Sequence, residues 1–215
     1  MKANDVKYGR ILVGLSRFAS AMLSPLLIPT YGVLIALWCS YLSAYDMGLR
    51  VTVLLVVAGI TCVLPMFFIA TLHHFKLITD KLLVNRKERI LPFIFTLLCH
   101  AAAAYYLYSR VHAPMWVVMF SAGGALAVLT SAVVNHWWKI SAHMAGMAGI
   151  VALIYNMHMM MTEAFNLVWV LMVAVLICGM LGTARIVLGR HTLGQVLAGA
   201  LNGFFCVSLL MQLFG

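Results

Sequence analysis

Acidic side chains are nearly missing from this chain: Asp5, Asp46, Asp80, Glu88 and Glu163 are the five carboxylates in 215 residues. A protein site that holds Mg²⁺ does so with several carboxylates. A chain this poor in them points to metal-free chemistry, and no cofactor or metal site is expected. Charge of either sign is scarce, at 9% of residues, which excludes the well-solvated surface of an ordinary soluble domain. Paired cysteines are missing too. Cys39, Cys62, Cys99, Cys178 and Cys206 stand singly inside apolar stretches with no Cys-x-x-Cys spacing, so neither a disulfide framework nor a thiolate metal site is expected. Met157 and the run Met159-Met160-Met161 beside His158 offer soft ligands, yet flexible apolar filling accounts for them better.

What the chain has instead is apolar length. Hydrophobic residues make up 65% of it and mean hydropathy is +1.05, far above soluble domains. Stretches free of Asp, Glu, Lys and Arg cover 18–45, 51–75, 90–109, 111–138, 140–162, 164–184 and 191–215, each near or beyond the roughly 20 residues a helix needs to cross the hydrocarbon. The pattern predicts an all-α, polytopic transmembrane helix bundle of six to seven spans, one membrane-embedded domain over residues 1–215. Pro25 and Pro29 interrupt the first stretch, so residues 1–25, with Arg10 and Arg17, are expected to form an interfacial amphipathic segment leading into a span near 27–44. The first apolar run is too long for a signal h-region and lacks a small-residue cleavage site, so the N-terminus is expected to stay attached.

Cations are distributed unevenly across this topology. Lys2, Lys7, Arg10, Arg17, Lys76, Lys81, Arg86, Lys87, Arg89, Lys139, Arg185 and Arg190, twelve of the fourteen, fall on the N-terminal side, leaving Arg50 and Arg110 on the other. The positive-inside rule then places the N-terminus in the cytoplasm. An even number of spans separates loops 73–92, 136–142 and 185–191, so all three face one another across a single membrane surface. Loop 73–92 carries His73, His74, Lys76, Asp80, Lys81, Asn85, Arg86, Lys87, Glu88 and Arg89; loop 136–142 carries His136, Lys139 and Ser141, with His143 just beyond; loop 185–191 carries Arg185, Arg190 and His191. Cations and imidazoles converging from three places form a candidate phosphate site. His143 and His191 fall near the starts of apolar spans, where free N–H groups and the helix dipole favour an anion. Gln195 lies four residues after His191, on the same helical face, and its amide oxygen is placed to accept from one ring nitrogen and aim the other outward. Asn156 and Thr130, near midspan, are expected to serve helix packing.

The residues resemble the type 2 phosphatidic acid phosphatase (PAP2) superfamily of lipid phosphate phosphatases. The family's third motif, Ser-Arg, five residues, His, three residues, Asp, is matched in order and spacing by Ala184-Arg185, His191 and Gln195. Its second, Pro-Ser-Gly-His, is similar to Ile140-Ser141-Ala142-His143, and its first, a lysine followed after six residues by Arg-Pro, is approximated by Lys81 through Arg86, Lys87, Glu88 and Arg89, with the proline displaced to Pro92. The resemblance implies that His191 is the nucleophile forming a phosphohistidine, that His143 is the acid protonating the departing lipid alcohol, and that Arg185, Ser141, Lys81, Arg86, Arg89 and Lys139 bind phosphate. Ala184, Ile140, Ala142 and Gln195 stand where the family has Ser, Pro, Gly and Asp. A neutral Gln195 holds the ring but does not stabilise an imidazolium as an anion would.

The function so implied is an integral membrane lipid phosphatase in a bacterial cytoplasmic (inner) membrane, hydrolysing a lipid phosphomonoester or pyrophosphate drawn from the bilayer. Its expected partners are lipid substrate and membrane lipids, without nucleic acid. Two alternatives stand beside it. One is a phosphotransferase in which a lipid or sugar hydroxyl replaces water. The other is a noncatalytic transporter of anions or lipid phosphates whose basic vestibule only binds, with Glu163 and His158 as polar groups near the opposite face.

Overall fold

The computed structural model describes residues 8–80 and 85–215 and is 81% helix, with no strand among the described residues. Its helices are α1 (Arg10–Met22), α2 (Ile28–Cys39), α3 (Met47–His74), α4 (Ile90–Ser109), α5 (Met115–Trp137), α6 (Ala142–Met159), α7 (Val168–Val187) and α8 (Leu193–Phe214). Five are long and apolar enough to cross a membrane: α3, α4 with the 3₁₀ turn before it, α5, α7 and α8. Their outward faces are apolar, as with Leu55, Leu64 and Phe67 on α3 and Trp169, Met172, Leu176 and Met180 on α7. Large exposed apolar side chains with every backbone group paired inside a helix are what lipid contact requires, and the protein is an integral membrane protein.

Each of the seven charge-free stretches holds one of the helices α2 to α8, and two of them fall short of the five. Helix α2 has 12 residues, about 18 Å at the rise of an α-helix. Helix α6 has 18 residues but carries His143, Asn156 and His158. It tolerates them because it is the innermost helix, packed against α8, α7, α2 and α5 rather than against lipid. Within α3, a five-residue π-turn at Gly59–Val63 ends two residues before Pro65, a widened turn ahead of a residue that has no N–H to give to the ladder.

The α6–α8 contact fixes the site-bearing ends. A Cβ on Gly203 would lie 1.8 Å from the Ala145 carbonyl oxygen, and one on Gly199 would lie 2.5 Å from that of Ser141. Glycines four apart thus let the two backbones touch, the packing that membrane helices use where burial of apolar surface offers no driving force. Polar links close the rest. Asn156 donates to Ser208 Oγ at 3.0 Å, Thr130 Oγ1 to Asn202 Oδ1 at 2.5 Å, and Asn202 Nδ2 to Ser131 Oγ at 2.9 Å.

The two membrane faces are identified by their loops. Tyr41 N–H donates to the Thr162 carbonyl at 3.1 Å and Ala164 N–H to that of Cys39 at 3.0 Å, tying segments 40–46 and 160–167 together at one end. At the other end Asn135 Nδ2 donates to the Arg86 carbonyl at 3.0 Å and Ser141 N–H to that of Gln195 at 3.3 Å, so the three polar loops share a surface. Helix α1 also lies at this end, against α7. It turns Val13, Ser16 and Ser20 inward and leaves Ile11, Leu15 and Phe18 exposed. An apolar outer face over a small polar inner one suits a helix lying at the lipid boundary.

Candidate functional site

A cavity of about 740 Å³ opens between α1, the Pro25–Pro29 turn, α3, α4, α5 and α6. Most of its wall is apolar, including Met66, Ile69, Phe93 and Phe120, while Arg89, His143, Arg185 and His191 line it at the face of the polar loops. No carboxylate lines it among the described residues. Glu88 is engaged within its own loop, accepting from Thr79 N–H at 2.8 Å, Thr79 Oγ1 at 2.9 Å and Asn85 Nδ2 at 3.0 Å.

Local structure explains how each cation arrives. Arg89 ends the 3₁₀ turn Arg86–Arg89; it is 9% exposed and donates to the Ile140 carbonyl at 3.4 Å. Arg185 projects from the last turn of α7, half-buried, with its Nε fully buried and no hydrogen-bond partner among the described residues. Gly189, at φ 64°, makes the left-handed turn that stops α7 and presents Arg190 and His191. Arg89, Lys139, Arg185 and Arg190 lie close enough to repel one another. Burial, followed by the three guanidiniums, holds the Lys139 ammonium below its usual range. Several cations gathered in low-dielectric surroundings, with no carboxylate on the cavity wall among the described residues, form a strong anion field.

The imidazole of His191 is oriented by a helix cap. Thr192 opens α8 with a reciprocal capping box: its hydroxyl accepts from Gln195 N–H at 3.4 Å, and Gln195 Oε1 accepts from Thr192 N–H at 3.3 Å. A backbone N–H needs an oxygen, so the cap fixes which way the Gln195 amide faces. That same Oε1 is 3.2 Å from His191 Nδ1, so Nδ1 carries the proton and Nε2 keeps its lone pair. His191 is 7% exposed. Burial first, then Arg185, Lys139 and Arg89, push its pKa down from 6.5 to about 3 against a smaller upward pull from Gln195. The ring is therefore neutral near pH 7, and Nε2 is a free nucleophile. On α6, His143 donates from Nε2 to the Ser20 carbonyl of α1 at 3.1 Å, so that nitrogen bears a proton.

The structure brings Arg89, Arg185, His143 and His191 to one cavity wall, with Lys139 and Gln195 beside them but off that wall. It puts two other candidates elsewhere. The Arg86 guanidinium donates to the Trp137 carbonyl and does not line the cavity, so it joins two loops. Ser141 is fully buried beneath Gly199 at the α6–α8 contact, off the cavity wall, with its Oγ unpartnered. Lys81 lies outside the described residues. Three features escaped the sequence reading: the capping box, whose Thr-x-x-Gln signature was legible; the seat of His143 on Ser20, which joins segments 123 residues apart; and His100, buried on the cavity wall.

No protein-family model, no curated protein and no solved structure matches this chain. The site's chemistry therefore rests on its geometry: a cradle of cations for a tetrahedral oxyanion, a neutral imidazole with a free lone pair, a second imidazole bearing a proton, and an apolar cavity behind them.

Proposed function

We propose that the protein is a lipid phosphatase of the bilayer that cleaves a lipid phosphomonoester or pyrophosphate through a phosphohistidine at His191. Supporting this most directly is the half-buried Arg185, whose buried Nε has no hydrogen-bond partner among the described residues, beside an imidazole whose tautomer leaves Nε2 unprotonated. Arg185, Arg89 and Lys139 take the nonbridging oxygens, whose charge they match and whose presence relieves their mutual repulsion. His191 Nε2 attacks phosphorus, and the bond to the lipid oxygen breaks as His143, made an imidazolium by a proton that the monoanionic phosphate brings to its Nδ1, passes that proton to the lipid oxygen and keeps its Nε2–H on the Ser20 carbonyl. Water then cleaves the P–N bond, losing a proton to the now neutral His143 and releasing phosphate. Gln195 keeps the ring aimed throughout. Arg86 is assigned to loop anchoring and Ser141 to helix packing rather than to phosphate.

The cavity behind the cations accommodates the substrate's tail, so a lipid need not leave the bilayer to reach His191. On this proposal the fold is PAP2-like with six to seven spans, α6 crossing at the centre and α2 deciding the count. Twelve of fourteen cations on the N-terminal side favour placing the site at the cytoplasmic face of a bacterial inner membrane.

The test is phosphate release from phosphatidic acid, phosphatidylglycerophosphate and an isoprenyl pyrophosphate by purified protein in detergent with EDTA. Release that persists with the chelator and vanishes in His191→Ala is expected. Binding of these lipids without release would favour the noncatalytic alternative, and release only when an alcohol acceptor is added would favour the transferase.

A further inference from the structure

His100 stands on α4, eleven residues beyond Arg89, about 16 Å deeper along the helix axis. It is 5% exposed and lines the cavity. Its Nδ1 is 2.9 Å from the Thr96 carbonyl. A carbonyl only accepts, so Nδ1 carries the proton and Nε2 of the neutral ring is an acceptor. No described residue donates to Nε2, and the Nε2–Cδ2 edge of the ring rests over Gly124, where a Cβ would lie 2.8 Å from Cδ2 and 3.3 Å from Nε2. Gly124 also lines the cavity, and its missing side chain makes the room that the ring edge occupies. Thr96 and Ser121 stand on the same stretch of wall, and Ser121 Oγ already donates to the His100 carbonyl at 3.4 Å.

An acceptor on a cavity wall that no protein donor reaches is satisfied only by a donor that enters the cavity. Alkyl tails carry none. We propose that His100 Nε2 accepts from a hydroxyl carried part-way down the substrate's tail, so that the enzyme selects lipid phosphates hydroxylated at mid-chain depth over their plain-chain counterparts. The inference presupposes the lipid-phosphate function of the Arg185–His191 end, and it adds a second recognition point at the far end of the same cavity. The separation of about 16 Å sets the position: a donor next to the headgroup falls short, and one at mid-chain arrives.

The experiment pairs ricinoleoyl with dioleoyl phosphatidic acid, chains that differ in a mid-chain hydroxyl, and adds ceramide phosphate, whose donors sit beside the headgroup. Binding is read by displacement of a fluorescent phosphatidic acid from the His191→Ala protein, and phosphate release from the protein with His191 intact. Preference for the ricinoleoyl lipid of about tenfold is expected, the size of one buried hydrogen bond. The ratio should fall to near one in His100→Leu and recover in part in His100→Gln, whose amide oxygen restores an acceptor. Retained probe binding by each variant shows that it is folded. Equal handling of the pair by the wild-type cavity, a ratio unchanged in His100→Leu, or a preference for ceramide phosphate would each overturn the proposal. Discrimination in binding without phosphate release would instead leave it standing and remove the hydrolase; release without discrimination would do the reverse.

Discussion

The two membrane faces of this protein treat charge in opposite ways. On the face of segments 40–46 and 160–167, the carboxylates are used locally, Glu163 sitting 3.0 Å from His158 Nδ1 and Asp46 capping α3 by accepting from Leu49 N–H at 3.0 Å, while Arg50, its buried Nε without a hydrogen-bond partner among the described residues, lies 5.0 Å over the ring of Trp38. On the other, Arg89, Lys139, Arg185 and Arg190 crowd together beside a cavity that no carboxylate lines among the described residues. Stability alone favours the first arrangement, because buried cations that repel one another are destabilising. The second is what a site must look like when the missing charge belongs to a ligand.

That contrast breaks most visibly at Arg185. Arg185→Met should lower phosphate release by about a hundredfold or more, the usual cost of one oxyanion ligand, while the protein's melting temperature rises as the repulsion is removed. A fall in both would place Arg185 with the structural cations. The contrast sharpens at His191, whose pKa lies near 3. The unfolded chain protonates this side chain first as pH falls, so stability should decline between about pH 6.5 and 3, and the His191 imidazole should titrate in that lower range by NMR. Gln195→Glu preserves the cap and adds an anion against Nδ1, which should move that titration upward; an unmoved midpoint would mean that Gln195 does not face the ring. Arg86→Gln should lower melting temperature modestly and change KM less than threefold, since its guanidinium holds a backbone carbonyl of the neighbouring loop. A KM rise comparable with that of Arg185→Met would return Arg86 to the phosphate. The smallest effect belongs to the opposite face: Glu163→Gln should cost no more than about 1 kcal/mol and leave phosphate release within twofold.

Much of this was legible in the residues. The parity of the apolar stretches was enough to bring three loops to one surface, because spans of opposite direction must alternate. The spacing of His191 and Gln195 carried through because both lie at one helix start, where local geometry is set by adjacent residues. Distant partners were beyond reach. Whether Arg86 turns to phosphate or to Trp137 depends on how two loops pack, and Ser141 vanished beneath α8 only because Gly199 allows a backbone approach that spacing does not reveal. A histidine in mid-span such as His100 reads as packing until a cavity is found beside it. Helix α6 shows the converse: its polar residues weaken the membrane signal, and only its place inside the bundle explains them.

The most direct measurement is rapid quenching of a phosphorus-labelled phosphatidic acid with the purified protein in EDTA. Label on the chain that survives alkali, is lost in acid and is absent from His191→Ala is the predicted result. Phosphate release with no labelled chain, or label that persists without His191, would contradict the account.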